Sequence, residues 1–525
     1  MKNVLIAFLL FQIQWVVAQN AIVDETFGSS GYASTIRLVN RDFKKVFQTQ
    51  DSGFIAVGEY QSTSQTLFTA VKFNKTGQLD LSFGSAGVYN IALLPNSQIT
   101  VNTACSTQDN SILICGTSYQ YNTSIKNIFI LKLKIDGHID STFGSDGIKL
   151  ELAGYTNSFI FIKEDRHRKI IVGQMRTVGG TPSNCYLVKL KSNGEIDSSF
   201  QNQGELTMNG QGYAYVKNFE VTEDNHYLVS YFNAGAGNPI YANLDSNGNF
   251  NNKFGSYGKM YMNVSPLNSS YTCGTVPIAN NGFFLYVLLG IKSNQSSLII
   301  VHKYKTIGQL DSSYGRNGIT SNYLTSQIHL GLDFLKIDNK NRIILGMRFY
   351  DSCSPLDPDW NNYYCDYTSA IYRFNSKGRP DSTFNSTGIF NKFKDYEFDD
   401  ELSDIVVQND NKIVVVGKVS VKGQSLKGFM CRLNAFYPTA NMSVGNTAIN
   451  NINLYPMPFT DKINFEGVNG MHSIKIYSML GQLVYQEKTN DPIIANLGFL
   501  STGNYILEVE NENNTTYRYK ILKSE

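Results

Sequence analysis

One eight-residue pattern, Asp-x-x-Phe-Gly-x-x-Gly, recurs seven times, with copies starting at Asp24, Asp80, Asp140, Asp197, Asn251, Asp311 and Asp381. Tyr314 replaces the aromatic in one copy, and Gln201 and Asn385 replace the first glycine in two others. The steps are 56, 60, 57, 54, 60 and 70 residues. A near-constant period of this size means one supersecondary unit repeated. Between copies the chain reads as short apolar runs broken by turn residues. In the second unit the runs are 88–93, 99–107, 111–116 and 128–133. Gln108-Asp109-Asn110 is turn chemistry, because Asp and Asn tolerate left-handed backbone angles. Each unit therefore predicts four short antiparallel strands.

Seven such sets follow, at 32–74, 88–134, 148–191, 205–244, 259–305, 319–374 and 389–434. The expected fold is all-β: a seven-bladed β-propeller of four-stranded antiparallel sheets, an architecture that hides sheet edges by radial repetition. The first pattern, at Asp24, has no strand set before it, and the last set has no pattern after it. The two ends complete each other if the N-terminal segment lies beside the last blade. An open solenoid would need polar caps, and none is evident. The pattern's Asp is read as a turn cap, its Phe as a plug between blades, and its glycines as tight backbone positions. One carboxylate per copy is too few oxygens for calcium, so no metal and no cofactor are expected.

Composition bounds the function. Formal charge is +2, and no basic stripe alternates with aromatics, which argues against a nucleic-acid partner. Lys2, an apolar run over 4–11 and Val16-Val17-Ala18 read as a signal peptide over 1–18. No later run approaches the ~18 apolar residues of a membrane span. There are seven cysteines, an odd number for an exported chain. Cys353 and Cys365 bracket one loop and are the best disulfide candidates; Cys105 and Cys115 flank a predicted hairpin and can pair. Cys185 and Cys431 sit in apolar strands as core thiols.

The repeat resembles the delta-60 family, carried by Gly77-Gln78-Leu79-Asp80-Leu81-Ser82-Phe83-Gly84-Ser85-Ala86-Gly87 and, closely, by the copies at Asp140 and Asp311. That resemblance implies a propeller-like extracellular protein over 19–437, with no single activity. Residues 438–452 read as a linker. Short strands then follow at 462–465, 473–477, 482–487, 505–510 and 517–522, predicting a small Ig-like β-sandwich over 453–525. This end resembles the C-terminal sorting domain of the type IX secretion system. The matching residues are Tyr455, Pro456, Pro458, Gly481, Gly503, Tyr505, Lys520 and Lys523, with Met457 where the family usually has Asn. The resemblance implies a Gram-negative chain, secreted or held at the outer surface, whose partner through 453–525 is the export machinery.

No catalytic motif stands out among the six histidines or elsewhere. Strand alternation puts the seven patterns on one face of the ring and the variable links on the other, where binding is usually grafted. The 70-residue step comes from a long link over 351–366 holding Asp357, Asp359, Trp360, Tyr363 and Tyr364. The next link on that face holds Asp399 and Asp400, so the two are expected to form an acidic, aromatic contact patch for a glycan or protein ligand. The expected function is an exported binding or adhesion module. The rivals are a secreted enzyme acting on polysaccharide in a pocket on the ring axis, and a structural surface component. Convergent carboxylates or histidines at the axis would favour the enzyme.

Overall fold

The computed structural model describes residues 22–434 and 453–524, less 34–37, 94–96, 122–125, 153–159, 179–180, 209–213, 234–238, 263–270, 279, 281, 292–295, 307–308, 325–328, 356–362, 386, 392–399 and 420–425 in the first stretch. In the second it omits 457, 467–471, 479–482, 490–492, 495 and 511–515. The leader and linker predicted from the sequence thus lie outside the described residues. Two compact units separate, Met1–Pro438 and Thr439–Glu525.

Every described sheet is antiparallel. The first unit holds seven of them, and the first runs Arg41–Gln48, Phe54–Gln61, Thr66–Phe73, Val88–Ile91 in spatial order. This moves a boundary. The strand after each pattern was expected to open the next sheet; it closes the preceding one instead. Val88 pairs with Val71, Ile148 with Leu131 and Glu205 with Val188. The cause is the pattern itself, which is a tight reversal. Asp80 N donates to Lys72 O at 2.9 Å, and Lys72 N donates to Gly87 O at 3.1 Å, so the chain doubles back onto the edge it has just left. A repeat length is legible from periodicity; where the sheet is cut within the repeat is not.

Each copy repeats that bond, down to Asp24 N to Arg432 O at 2.8 Å. Here the N-terminal segment fills the fourth place of the last sheet (Asp400–Val407, Ile413–Val419, Lys427–Leu433). Arg432 N donates to Gly31 O and Ala33 N to Met430 O. Val23 bridges Leu433, and Tyr32 bridges Cys431. The two ends of the repeat array meet as expected.

Apolar cores lie between successive sheets. Ile55, Val57 and Phe68 of the first meet Ile112, Ile114 and Phe129 of the second. The last seam joins Val414, Val416 and Met430 to Phe43, Val46 and Phe54, closing the series on the first sheet. Inner strands are covered on both faces, which explains their unbroken apolar runs. The unit is an all-β, propeller-like array.

The pattern's aromatics, Phe27 through Phe384, are buried to within 1%. Phe83 lies under Gly137 of the following sheet, where any added Cβ would sit 2.8 Å from the ring. The Asp carboxylates take hydrogen bonds from the Ser or Thr two residues on, as at Asp80–Ser82 and Asp381–Thr383. They also pair with a cation: Lys72–Asp80 at 3.0 Å, Lys132–Asp140 at 3.1 Å, Lys303–Asp311 at 3.0 Å, Arg373–Asp381 at 2.8 Å and Arg432–Asp24 at 2.7 Å. The one copy that starts with Asn is matched in kind: Asn251 Nδ2 donates to Asn243 Oδ1 at 3.0 Å, and Asn243 stands where the others carry Lys or Arg.

Candidate functional site

The long link predicted over 351–366 is a hairpin arm. Its strands, Ile343–Pro355 and Tyr363–Phe374, run 13 and 12 residues, longer than any others described. Their register sets Cys353 opposite Cys365, Ser354 opposite Tyr364 and Pro355 opposite Tyr363. Among directly opposed residues, those in non-hydrogen-bonded pairs come closest to the Cβ spacing of a disulfide. Asp357, Asp359, Trp360 and Asp399 lie outside the described residues. Asp400 is not on an open patch. It is buried, its Oδ1 accepts from Ser369 N at 2.9 Å, and its carbonyl accepts from Ser369 Oγ at 2.8 Å. The start of an inner strand spends this carboxylate on its neighbour's backbone. Glu401 beside it bonds Arg348 at 2.9 Å and Lys418 at 3.2 Å.

Cys105 and Cys115 do not face each other. The register pairs Cys105 with Leu113 and Cys115 with Thr103, and both are buried thiols in no disulfide. The turn between them, closed by Thr107 N donating to Ser111 O at 2.9 Å, sets this alignment. Cys185, Cys273 and Cys431 are also buried and in no disulfide, the first and last as expected. Burial pushes the Cys105 thiol up to about 12, so it is unreactive at neutral pH.

The structure also brings together residues that the sequence reading did not single out. The first strands of all seven sheets line one cavity of about 540 Å³. In five of these strands the register slips, leaving Lys44, Asn102, Lys217 and Ser403 as extra residues and, in His329–Ile337, which slips twice, Leu330 and Asp333. Such bulges re-aim side chains, and Lys217 and Asp333 of this set line the cavity. With them stand Lys45, Lys163, Glu220, Lys336 and Asp404. Asp404 Oδ1 lies 3.5 Å from Lys45 Nζ and 3.4 Å from Lys336 Nζ, bridging three successive sheets across the closure seam. Lys163 meets Glu220 at 2.9 Å across another seam. Asp333 is held by Arg348 at 3.1 Å.

Burial sets the ionisation of these groups. It pushes the Asp333 carboxyl up to about 7, with Arg348 opposing and Glu401 adding to the rise. Burial would raise Asp404 as well, but Lys336 and Lys45 hold it below the usual carboxylate range. Lys45 is lowered by burial and by the like charges of Lys336 and Lys163, against the pull of Asp404.

In the C-terminal unit, two antiparallel sheets share one core of Phe459, Ile463, Ile474, Ile476, Leu507, Val509 and Ile521. Tyr505 is nearly buried, and its hydroxyl donates to Ser501 O at 2.8 Å. Phe459 N donates to Leu522 O, tying the start of the unit to its closing strand, Thr516–Lys523, which carries Lys520 and Lys523. Tyr455 ends the strand Asn453–Tyr455; Pro456 and Pro458 after it are exposed. At Gly503 an added Cβ would meet nothing within 4 Å. Gly481 lies outside the described residues.

Residues 453–524 match the family model of the secretion system C-terminal sorting domain, and residues 408–435 match that of the DUF5122 beta-propeller, a domain of unknown function. Ulvan lyase NLR42 of Nonlabens ulvanivorans is 30% identical over 88 residues, a match spanning 16% of this chain and 16% of that enzyme. Among solved structures, PorZ, a surface component of the type-IX secretion system of Porphyromonas gingivalis, aligns over 95% of this chain and 87% of its own, at 10% identity and a TM-score of 0.23. Sqt1 of Chaetomium thermophilum aligns over 77% and 98%, at 8% identity and a TM-score of 0.39. Neither score is high enough to establish a shared fold. Among the described residues no helix is long and apolar enough to cross a membrane. The chain is thus a propeller-like protein with a DUF5122-type repeat and a type IX C-terminal sorting domain, which marks it for secretion or for the outer surface.

Proposed function

We propose that this chain is an exported binding module. Its scaffold is a closed seven-bladed β-propeller, its C-terminal unit is an Ig-like sandwich read by the export machinery, and its extracellular ligand is a glycan or a protein. Contacts lie on the face opposite the seven patterns, chiefly on the hairpin arm with Asp357, Asp359, Trp360, Tyr363 and Tyr364, and with Asp399 on the next link. The observation that carries this reading is the arm: one hairpin outgrows its six counterparts, and its register opposes Cys353 to Cys365. A cross-link there lowers the ordering cost of binding, and Tyr and Trp bury contact area with little entropy loss.

The rival, an enzyme with chemistry on the axis, needs carboxylates free to move protons. Glu220 and Asp404 are each tied to a lysine, which favours binding over acid–base work; Asp333, held by Arg348 but pushed up to about 7, is the one carboxyl of the three suited to the rival. The test is a glycan and protein array probed with the mature protein and with Trp360→Ala. Loss of the array signal without loss of thermal stability supports the arm. A stability loss in the 3–5 kcal/mol range of a buried aromatic, with binding intact, makes Trp360 a packing residue and overturns the assignment.

A further inference from the structure

The axial cavity holds hydrogen-bond acceptors that the scaffold leaves unspent. The carboxylates of the repeat are used up: Asp80, Asp140 and Asp311 each take a lysine and the hydroxyl two residues on. The axial ones are not. Asp333 and Asp404 line the cavity from successive sheets, with side chains only 9% and 2% exposed. Asp333 Oδ1 accepts from Arg348 at 3.1 Å, but its Oδ2 has no donor among the described residues. Asp404 Oδ2 accepts from Val46 N at 3.4 Å, but its Oδ1 has no hydrogen bond either, since Lys45 and Lys336 stand off at 3.5 and 3.4 Å. A buried acceptor left bare costs free energy, so both oxygens call for a donor from outside the fold. The ammonium groups of Lys45 and Lys336, three donors each, stand beside them. An anion would meet the two carboxylates, and a cation would meet the two ammonium groups. A hydroxyl suits both, because one oxygen donates and accepts. The walls add Phe47, Phe161 and Phe219, and apolar walls with a few convergent polar groups are the make-up of a small-molecule site.

We propose that the axial cavity is a saccharide site for one neutral sugar unit. Hydroxyls of the sugar donate to Asp333 Oδ2 and Asp404 Oδ1 and accept from Lys45 and Lys336, and its C–H face packs on the aromatic wall. The cavity, about 540 Å³, falls in the range of small-molecule sites and admits the unit either as a free sugar or as the end of a chain. The site is separate from the hairpin arm, so each can fail without the other.

The test uses the mature protein with glucose, galactose and mannose as probes, followed by ligand-observed NMR and by melting temperature. Saturable binding of at least one hexose is expected, with a rise in melting temperature. Asp333→Asn keeps the side chain's shape and an oxygen for Arg348 but removes an acceptor. It should weaken binding about tenfold or more, the loss of one charged hydrogen bond. Lys336→Met is the second variant, since that side chain is 42% exposed and its loss leaves Lys45 on Asp404. It should weaken binding to a similar degree and leave the sugar-free melting temperature nearly unchanged. Thr103→Phe, which adds a ring to the lining and touches none of these ion pairs, should abolish binding. Trp360→Ala, the variant that tests the arm, should leave hexose binding intact. Binding that tightens along a series of gluco-oligosaccharides assigns the site to a chain end; no gain with length assigns it to the free sugar. No saturable binding of any of the three hexoses, tighter binding of glucuronate or glucosamine than of glucose, or binding unchanged in both Asp333→Asn and Lys336→Met overturns the proposal.

Discussion

Asp24 shows how much one side chain of the repeat carries. It accepts from Lys412 and Arg432, both at 2.7 Å, joining residues more than 380 positions apart. Burial alone would raise its carboxyl, but those two cations and Thr26 hold it down to about 2. A carboxylate depressed from an unfolded value of ~3.9 adds stability that is present above that value and lost as pH falls through the folded one. Asp24→Asn should therefore cost about 1–2 kcal/mol at pH 7, allowing for screening at the sheet edge. The gap to the parent should close as pH falls from about 4 to 2, read as melting temperature against pH. A gap that stays constant with pH would mean the carboxylate's charge is not what holds the seam. The Asn243–Asn251 pair offers a second test at this scale. Asn243→Lys with Asn251→Asp should rebuild the pair the other sheets use, with a favourable coupling of about 1 kcal/mol in a double-mutant cycle. Zero coupling would show the charge pairing to be incidental.

Among the elements, the hairpin arm was legible from its cysteine spacing and from the one long step in the repeat. Strand content and the placement of Cys185 and Cys431 were legible too, because apolar runs between turn residues leave few alternatives. Sheet boundaries were not, since the reversal at each pattern can be read with either neighbour. The axial lysines were missed for a different reason. They come from separate repeats and share no motif, and a bulge shifts the alternation that would have pointed them inward. A signal existed in the turn-relative numbering. Lys45 and Asp404 each precede a left-handed turn residue, Ser52 and Asn411, by seven positions; Lys163, Glu220 and Lys336 precede Arg168, Asn225 and Asn341 by five. Those offsets differ by two, so the residues share one face of their strands. The arm makes its own prediction. With Cys105, Cys115, Cys185, Cys273 and Cys431 in no disulfide and the proposed Cys353–Cys365 bridge, thiol titration should find five groups in denaturant and all seven cysteines only after reduction. Seven without reductant would leave the arm unpinned.

For the whole molecule, two claims stand apart: the sorting unit exports the chain, and the chain's own N-terminal segment closes its array of sheets. Deleting 453–525 should leave a folded first unit trapped within the cell envelope, since the matched sorting domain is removed; normal secretion of the truncated chain would contradict the first claim. Closure is the more central, because the axial cavity needs the first and last sheets side by side. Hydrogen exchange on a chain lacking 19–33 tests it most directly. That deletion removes the bonds from Asp24, Gly31 and Ala33 to the strand Lys427–Leu433 and leaves Arg41–Gln48 in place. The account predicts that amides of Ile413–Val419 and Lys427–Leu433 lose protection together, although they lie some 400 residues away in sequence. Protection that persists across both strands would show that the last sheet stands without the N-terminal segment, and the closed ring would be wrong.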